Sequence, residues 1–192
     1  MISNEKGIKV MAEKKTHKID VAGLSRELPI VRISDKVSIA VLIMFSDVEL
    51  TVNCAAELLK KTPEFDVILT AEAKGIPLAY EMSRQSGKNY VVARKNSKLY
   101  MEDPIEVEAQ SITTASKQRL FLDVKEAGRL KGRRVLVVDD VISTGGSLLA
   151  MQKLVEAAGG NIVCKAAALA EGEASCRNDL VFLGAIPLFI DE

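Results

Sequence analysis

Between Arg133 and Leu148 the chain reads RRVLVVDDVISTGGSL, a stretch crowded with residue types that do chemistry. Two adjacent aspartates, Asp139 and Asp140, follow the apolar run Val135–Val138, with Val141 beyond them. Ser143, Thr144, Gly145, Gly146 and Ser147 come next, ahead of a run with helical spacing. Backbone N–H groups of a Gly-rich turn at a helix N-terminus form a nest for an anion, and the helix dipole adds to it. The hydroxyls of Ser143, Thr144 and Ser147 can donate further hydrogen bonds. That half of the stretch suits a phosphate. The carboxylates repel one; they accept hydrogen bonds from sugar hydroxyls or hold Mg2+ through water. Together the two halves suit a ribose 5-phosphate. Two familiar phosphate loops are absent: the chain has no GxxxxGK[ST], and no GxGxxG follows its first strand.

Such a stretch belongs at the carboxyl end of a strand in an open α/β sheet, where ligands bind at the point of strand-order reversal. Ile30–Ser34 and Val37–Phe45 have β-type composition. In Asp47–Lys61 the apolar positions Val48, Leu50, Val52, Ala55, Leu58 and Leu59 roughly follow the helical period. Ser46 or Asp47 can cap this helix, and Pro63 stops it. Phe65–Ala71 reads as a buried strand, Glu72–Gly75 as a turn, Ile76–Gly87 as a helix with Gly87 past its end, and Tyr90–Arg94 as a strand. Lys95–Gln118 is polar and interrupted by Pro104; a connection that long in a compact domain is usually functional or mobile. Arg119–Val124 reads as a returning strand, Arg133–Asp140 as a strand, Ser147–Gly160 as a helix and Asn161–Glu171 as a strand, with one more short strand closing the chain. Repeated strand–helix–strand units predict an α/β fold, a doubly wound, mainly parallel sheet with right-handed crossovers.

A chain of 192 residues suits one domain with a small appendage, here a charged extension over 1–16 before a domain over 17–192. Basic and acidic residues balance at 26 each, which disfavours a nucleic-acid partner. Cys54, Cys164 and Cys176 lie far apart and His17 is the single histidine, so no metal cluster is spelled out. Reduced thiols in an intracellular protein are the expectation. Asn4–Lys18 lacks the apolar core of a signal peptide. Val37–Phe45 is too short for a bilayer, which takes about 20 residues. A cytoplasmic protein with no membrane partner is predicted.

The stretch VLVVDDVISTGGSL resembles the signature of the type I phosphoribosyltransferases: four apolar residues, two acids, three variable residues, then Thr-Gly-Gly-Thr/Ser. Every motif position matches. Ile68–Pro77, ILTAEAKGIP, is similar to the pyrophosphate loop of the adenine and xanthine members. The resemblance places Glu72, Ala73, Lys74 and Gly75 on pyrophosphate, in a loop that in this family often holds a non-proline cis peptide. Val91–Pro104 resembles the family strand that ends in Arg-Lys before a mobile loop, which implies Arg94, Lys95 and Lys98 as positive charge for the diphosphate. Ile186–Phe189 is similar to the ending of the adenine members. The resemblance covers about residues 18–192 and implies a small hood formed by N- and C-terminal segments.

The implied reaction joins a purine base to phosphoribosyl diphosphate, giving a nucleoside monophosphate and pyrophosphate, in salvage. Asp139 and Asp140 would fix the ribose hydroxyls, and Lys98 and Lys74 would stabilise the departing anion. The resemblance implies Mg2+ as cofactor, held through the diphosphate and water with Asp139 and Asp140 as its protein carboxylates. It also implies a homodimer. Ser143 stands where the hypoxanthine–guanine members usually carry Asp, which points to adenine first and xanthine second. Adenine members tend to carry a glutamate–tyrosine pair in the mobile loop; the comparable Gln110–Gln118, QSITTASKQ, has neither residue. Asp20–Ile30 is expected to edge the base pocket. The alternative is a catalytically silent sensor of phosphoribosyl diphosphate, although no helix-turn-helix extension is evident.

Overall fold

In a computed structural model the chain is described over residues 15–110 and 117–191. The charged extension expected over 1–16 lies outside the described residues except for Lys15 and Thr16, and so do residues 111–116 of the expected mobile loop. In chain order the elements are β1 (Thr16–Val21), β2 (Leu24–Arg32), β3 (Val37–Ala40), α1 (Val48–Lys61), β4 (Val67–Ala71), α2 (Ile76–Ser86), β5 (Asn89–Ala93), β6 (Ile105–Gln110), β7 (Lys117–Leu122), α3 (Val124–Leu130), β8 (Arg134–Ile142), α4 (Gly146–Ala157), β9 (Asn161–Glu171), a 3-10 turn (Gly172–Cys176), β10 (Val181–Ile186) and β11 (Leu188–Ile190).

The central sheet runs β10-β9-β8-β4-β5 with every pairing parallel. A parallel strand covered on both faces reads as a continuous apolar run. In β8, Val135 and Val137 face one core while Leu136 and Val138 face the other. Leu148, Met151, Leu154 and Val155 of α4 cover the first face with Ala127 and Leu130 of α3. Leu50, Cys54 and Leu58 of α1 cover the second with Leu78, Ala79 and Met82 of α2. The sheet is therefore doubly wound, as its strand–helix alternation predicts.

A second, antiparallel sheet, β1-β2-β3-β11, joins the two ends of the chain into a hood. Its first hairpin turns at Ala22 and Gly23, which have φ of 51° and 76°. Such a two-residue turn with both φ positive matches the twist of the flanking strands. Sequence reading places no strand at β1. Arg26 of β2 ties the hood to α1: its Nε lies 2.7 Å from Asp47 Oδ2 and its Nη2 2.8 Å from Glu49 Oε2. Asp47 also caps α1 by accepting from Leu50 N–H at 3.0 Å.

Several expected boundaries move. Only Val37–Ala40 of the run to Phe45 is a strand; Leu42 and Met44 are buried without strand pairing. The long polar connection contains β6, which pairs antiparallel with β7. Ile105, Val107 and Ala109 turn inward on β6 while Glu106 and Glu108 stay exposed, a two-residue period masked by the acidic composition. The segment after β7 forms α3, capped by Asp123, which accepts from Lys125 N–H at 2.8 Å. The closing segment holds two strands: Pro187 separates β10, in the central sheet, from β11, in the hood.

Leu136 is fully buried at the centre of the sheet, and Leu99 is fully exposed. Leu136→Ala is expected to lower the unfolding free energy by about 2–5 kcal/mol in urea titration, and Leu99→Ala by less than about 0.5 kcal/mol.

Candidate active site

Strand order reverses between β4 and β8: from β4 the chain moves outward to β5, then returns to place β8 on the other side of β4. The β4–β8 register covers Val67↔Val135 to Leu69↔Val137, whereas β8 stays paired with β9 as far as Ile142↔Ala170. The β4-facing side of β8 is thus open from Val138 onward. The loops after β4 and after β8 border this opening. The aspartates, read from sequence as the end of a strand, lie inside β8, which continues to Ile142.

The loop after β4 packs against those aspartates. Lys74 Nζ lies 2.9 Å from Asp140 Oδ2, and Asp140 is buried while Lys74 is half exposed. Asp139 Oδ1 accepts from Asp140 N–H at 2.9 Å. Removal from water, followed by the neighbouring Asp140 charge, pushes the Asp139 carboxyl well above the usual carboxylate range, with Lys74 pulling the other way. Gly75 precedes α2 where only hydrogen fits: a Cβ there would stand 2.5 Å from Thr70 Oγ1 and 2.8 Å from Asp139 Oδ1. The Glu72–Ala73 peptide is cis.

Glu72 turns away from the aspartates and organises the end of β5. Its Oε1 accepts from Arg94 Nη1 at 2.8 Å and its Oε2 from Lys95 N–H at 3.0 Å. Burial alone would raise this carboxyl. The Lys95 N–H, the Arg94 guanidinium and the Lys98 charge outweigh burial and hold it below its usual value. Arg94, predicted as positive charge for a diphosphate, is therefore engaged with Glu72. Its backbone also exchanges two hydrogen bonds with Phe121 of β7, at 2.9 and 2.8 Å, fastening the β6–β7 hairpin to the site.

On the other side of the opening, Asp139, Val141, Ser143, Thr144, Gly145 and Ser147 line a cavity of about 120 Å³ together with Ile142, Gly146 and Leu148. Gly145 takes φ of 79°, a left-handed conformation that glycine adopts without penalty, and no side chain caps α4. No side chain caps α2 either. Two helix N-termini without a side-chain cap thus flank one pair of carboxylates.

Sequence reading missed one wall. A larger cavity, about 360 Å³, is lined by Ser143 and Thr144 and by Glu171, Glu173, Ala174, Arg177 and Leu188. Glu171 ends the buried strand β9 as the aspartates interrupt β8, and a charge after the run KAAALA was the available signal. The hairpin containing Asp20–Ile30, expected at the base pocket, contributes no residue to either cavity. Among the described residues no cluster of His, Cys, Asp and Glu is large enough to cage a metal by itself, and no helix is long and apolar enough to cross a membrane.

Residues 50–180 match the model of the phosphoribosyl transferase domain, and the chain belongs to that family. Its relatives carry particular names. The chain is 45% identical over 98 residues to the hypoxanthine/guanine phosphoribosyltransferase of Methanococcus voltae, a match covering 51% of this chain and 49% of that protein. With the protein of the same name from Methanosarcina mazei it shares 37% over 108 residues, 56% of this chain and 53% of that one. The chain spans about half the length of the curated relatives it matches. Among solved structures, adenine phosphoribosyltransferase from Thermoanaerobacter pseudethanolicus has a TM-score of 0.60 at 27% identity, over 70% of this chain and 80% of that chain. The adenine enzyme of Leishmania tarentolae has a TM-score of 0.61 at 20% identity, over 90% of this chain and 84% of that one, a likeness of fold.

Gly75→Ala is expected to push Thr70 or Asp139 aside, lowering stability by about 1–3 kcal/mol in urea titration. The Glu72 carboxyl titrates lower in the folded chain than in the unfolded one. Its stabilisation is complete above the unfolded pKa of about 4.3 and is lost as pH falls through the folded value. Unfolding free energy should therefore fall less steeply for Glu72→Gln than for the wild type below about pH 4.3. Identical slopes would contradict the Glu72 contacts.

Proposed function

We propose that the chain is a purine phosphoribosyltransferase of nucleotide salvage, with adenine its first substrate. The observation that carries this reading is the opening between β4 and β8, where a Gly-rich loop at an uncapped helix N-terminus meets two adjacent carboxylates. In this reading the 5-phosphate of phosphoribosyl diphosphate occupies the cavity of residues 141–148. Asp139 and Asp140 take the ribose hydroxyls, and the diphosphate lies along Glu72–Gly75 at the N-terminus of α2. The base enters the larger cavity beside Ser143. A ring nitrogen of the base bonds to the anomeric carbon as the C–O bond to pyrophosphate breaks, through an oxocarbenium-like state, and the ring N–H proton leaves to solvent. The carboxylates lie near the developing positive charge; Lys74 and the loop N–H groups meet the developing negative charge. Lys95 and Lys98 stand at the exit of β5, where Glu72 orders the backbone.

The donor set fits Mg2+ held mainly by substrate. Two carboxylates, with no third ligand beside them among the described residues, suit a hard cation that keeps its waters and binds through phosphates. Asp139 and Asp140 would hold it, and when bound it supplies charge neutralisation to the diphosphate. A homodimer is the proposed assembly. Exposed Phe45, Val48 and Tyr80 border one apolar groove at α1 and α2, the kind of patch that marks a protein interface.

Adenine is supported by Ser143, which offers no carboxylate to a 6-oxopurine, and by the adenine enzymes among the structural neighbours. A 6-oxopurine substrate has the names of the curated relatives in its favour. The test is pyrophosphate release from phosphoribosyl diphosphate and Mg2+ with adenine, hypoxanthine, guanine, xanthine and uracil in turn. Release is expected with adenine. Asp140→Asn is expected to cut the rate about a hundredfold, within the range for lost preorganised electrostatics. Tight binding of phosphoribosyl diphosphate without release for any base would replace the enzyme with a sensor.

A further inference from the structure

We infer that Glu171 is a specificity-determining residue that accepts a hydrogen bond from an exocyclic amino group of the incoming base, so that an aminopurine is taken ahead of hypoxanthine. The inference rests on the purine-transferase reading above, with the base beside Ser143.

Glu171 is the last residue of β9. The register pairs Ala170 with Ile142, so Glu171 stands level with Ser143, where the phosphate loop begins. It is 6% exposed, yet it lines the 360 Å³ cavity together with Ser143 and Thr144. Its carboxylate makes no hydrogen bond or ion pair among the described residues, and it is not among the fully buried unpartnered groups, so its oxygens open on the cavity. Arg177, the one cation lining this cavity, is turned to Asp179, with Nε and Nη2 2.9 and 2.8 Å from its oxygens. The other acid of the cavity, Glu173, is exposed and solvated. Glu171 is therefore an acceptor of this wall that no described residue engages.

A carboxylate accepts hydrogen bonds, and a base seated against it displaces its water, which is costly unless the base supplies a donor in return. An N–H donor on the ligand removes that cost; a carbonyl oxygen raises it. Adenine presents an amino group at C6, where hypoxanthine presents an oxygen. Hypoxanthine keeps the adjacent N1–H, but its O6 then faces the same carboxylate. Guanine adds an amino group at C2. Sites built to hydrogen-bond one group reject analogues that lack it more strongly than apolar pockets reject a missing methylene.

The experiment compares kcat/KM for adenine, guanine and hypoxanthine, using the full chain with Mg2+ and phosphoribosyl diphosphate, in the wild type and in Glu171→Gln. Gln both donates and accepts, so it serves an amino group and a carbonyl alike. Wild type should prefer an aminopurine over hypoxanthine, and Glu171→Gln should lower that ratio by about tenfold to a hundredfold, the range for a hydrogen bond to a charged group. The base whose preference collapses identifies the amino group read, C6 for adenine or C2 for guanine. Glu171→Asp, which withdraws the carboxylate by one methylene, should lower the ratio in the same direction and serves if the Gln variant does not fold. A ratio that stays within twofold in both variants overturns the inference. If no base supports pyrophosphate release, the transferase reading fails, and calorimetric affinities for AMP, GMP and IMP decide the role of Glu171. A preference for AMP or GMP over IMP that Glu171→Gln abolishes upholds it; equal ratios sink it.

Discussion

Two carboxylates on consecutive residues of a strand buried on both faces set the condition that the neighbouring structure meets. The Asp139 and Asp140 carboxyls lie against each other, so each makes a charge on the other more costly. Asp140 is buried and needs a counter-charge, which Lys74 supplies from the loop after β4. Asp139 is crowded by that same loop so closely that residue 75 has no room for a side chain. Without Lys74 the buried Asp140 loses its counter-charge, so the loop and the acids form one structural unit.

That unit exists because β4 and β8 are neighbours whose ladder ends early. Past Leu69↔Val137 the two strands part, and the loops that follow them flank the gap. A helix starts after each loop with no side chain capping it, so the positive ends of two helix dipoles border the gap. Positive dipole ends and negative side chains are thereby offered to one ligand, one that carries both phosphates and hydroxyls. Glu72 extends the unit sideways. By holding Arg94 and the Lys95 backbone it fixes the end of β5, and Arg94 fastens the β6–β7 hairpin.

Much of this was legible in the chain. The apolar run, the paired acids and the Gly-rich hydroxyl loop are contiguous, so local spacing alone brings out that half of the site. The loop Glu72–Gly75 was legible as a turn between a buried strand and a helix. Other features were hidden for identifiable reasons. The alternation of β6 is carried by Ile105, Val107 and Ala109 against acids, too weak in apolar content to stand out in a polar stretch. Strand β1 mixes exposed and buried residues at the start of the described chain and gains its meaning from pairing with β2. Segment α3 is two turns long, and its helix depends on packing more than on propensity.

Local spacing along the chain dictates the chemistry available, the alternation of strands and helices, and hence a doubly wound parallel sheet. These follow from periodicity and from residue types adjacent in the chain. Which distant groups meet depends on how the strands are ordered in space. Lys74 pairs with Asp140, Glu72 turns to Arg94, and Glu171 comes level with Ser143. Each juxtaposition joins strand ends or loops that follow different strands, and strand order is settled by burial of both sheet faces at once. No short window of sequence contains that information.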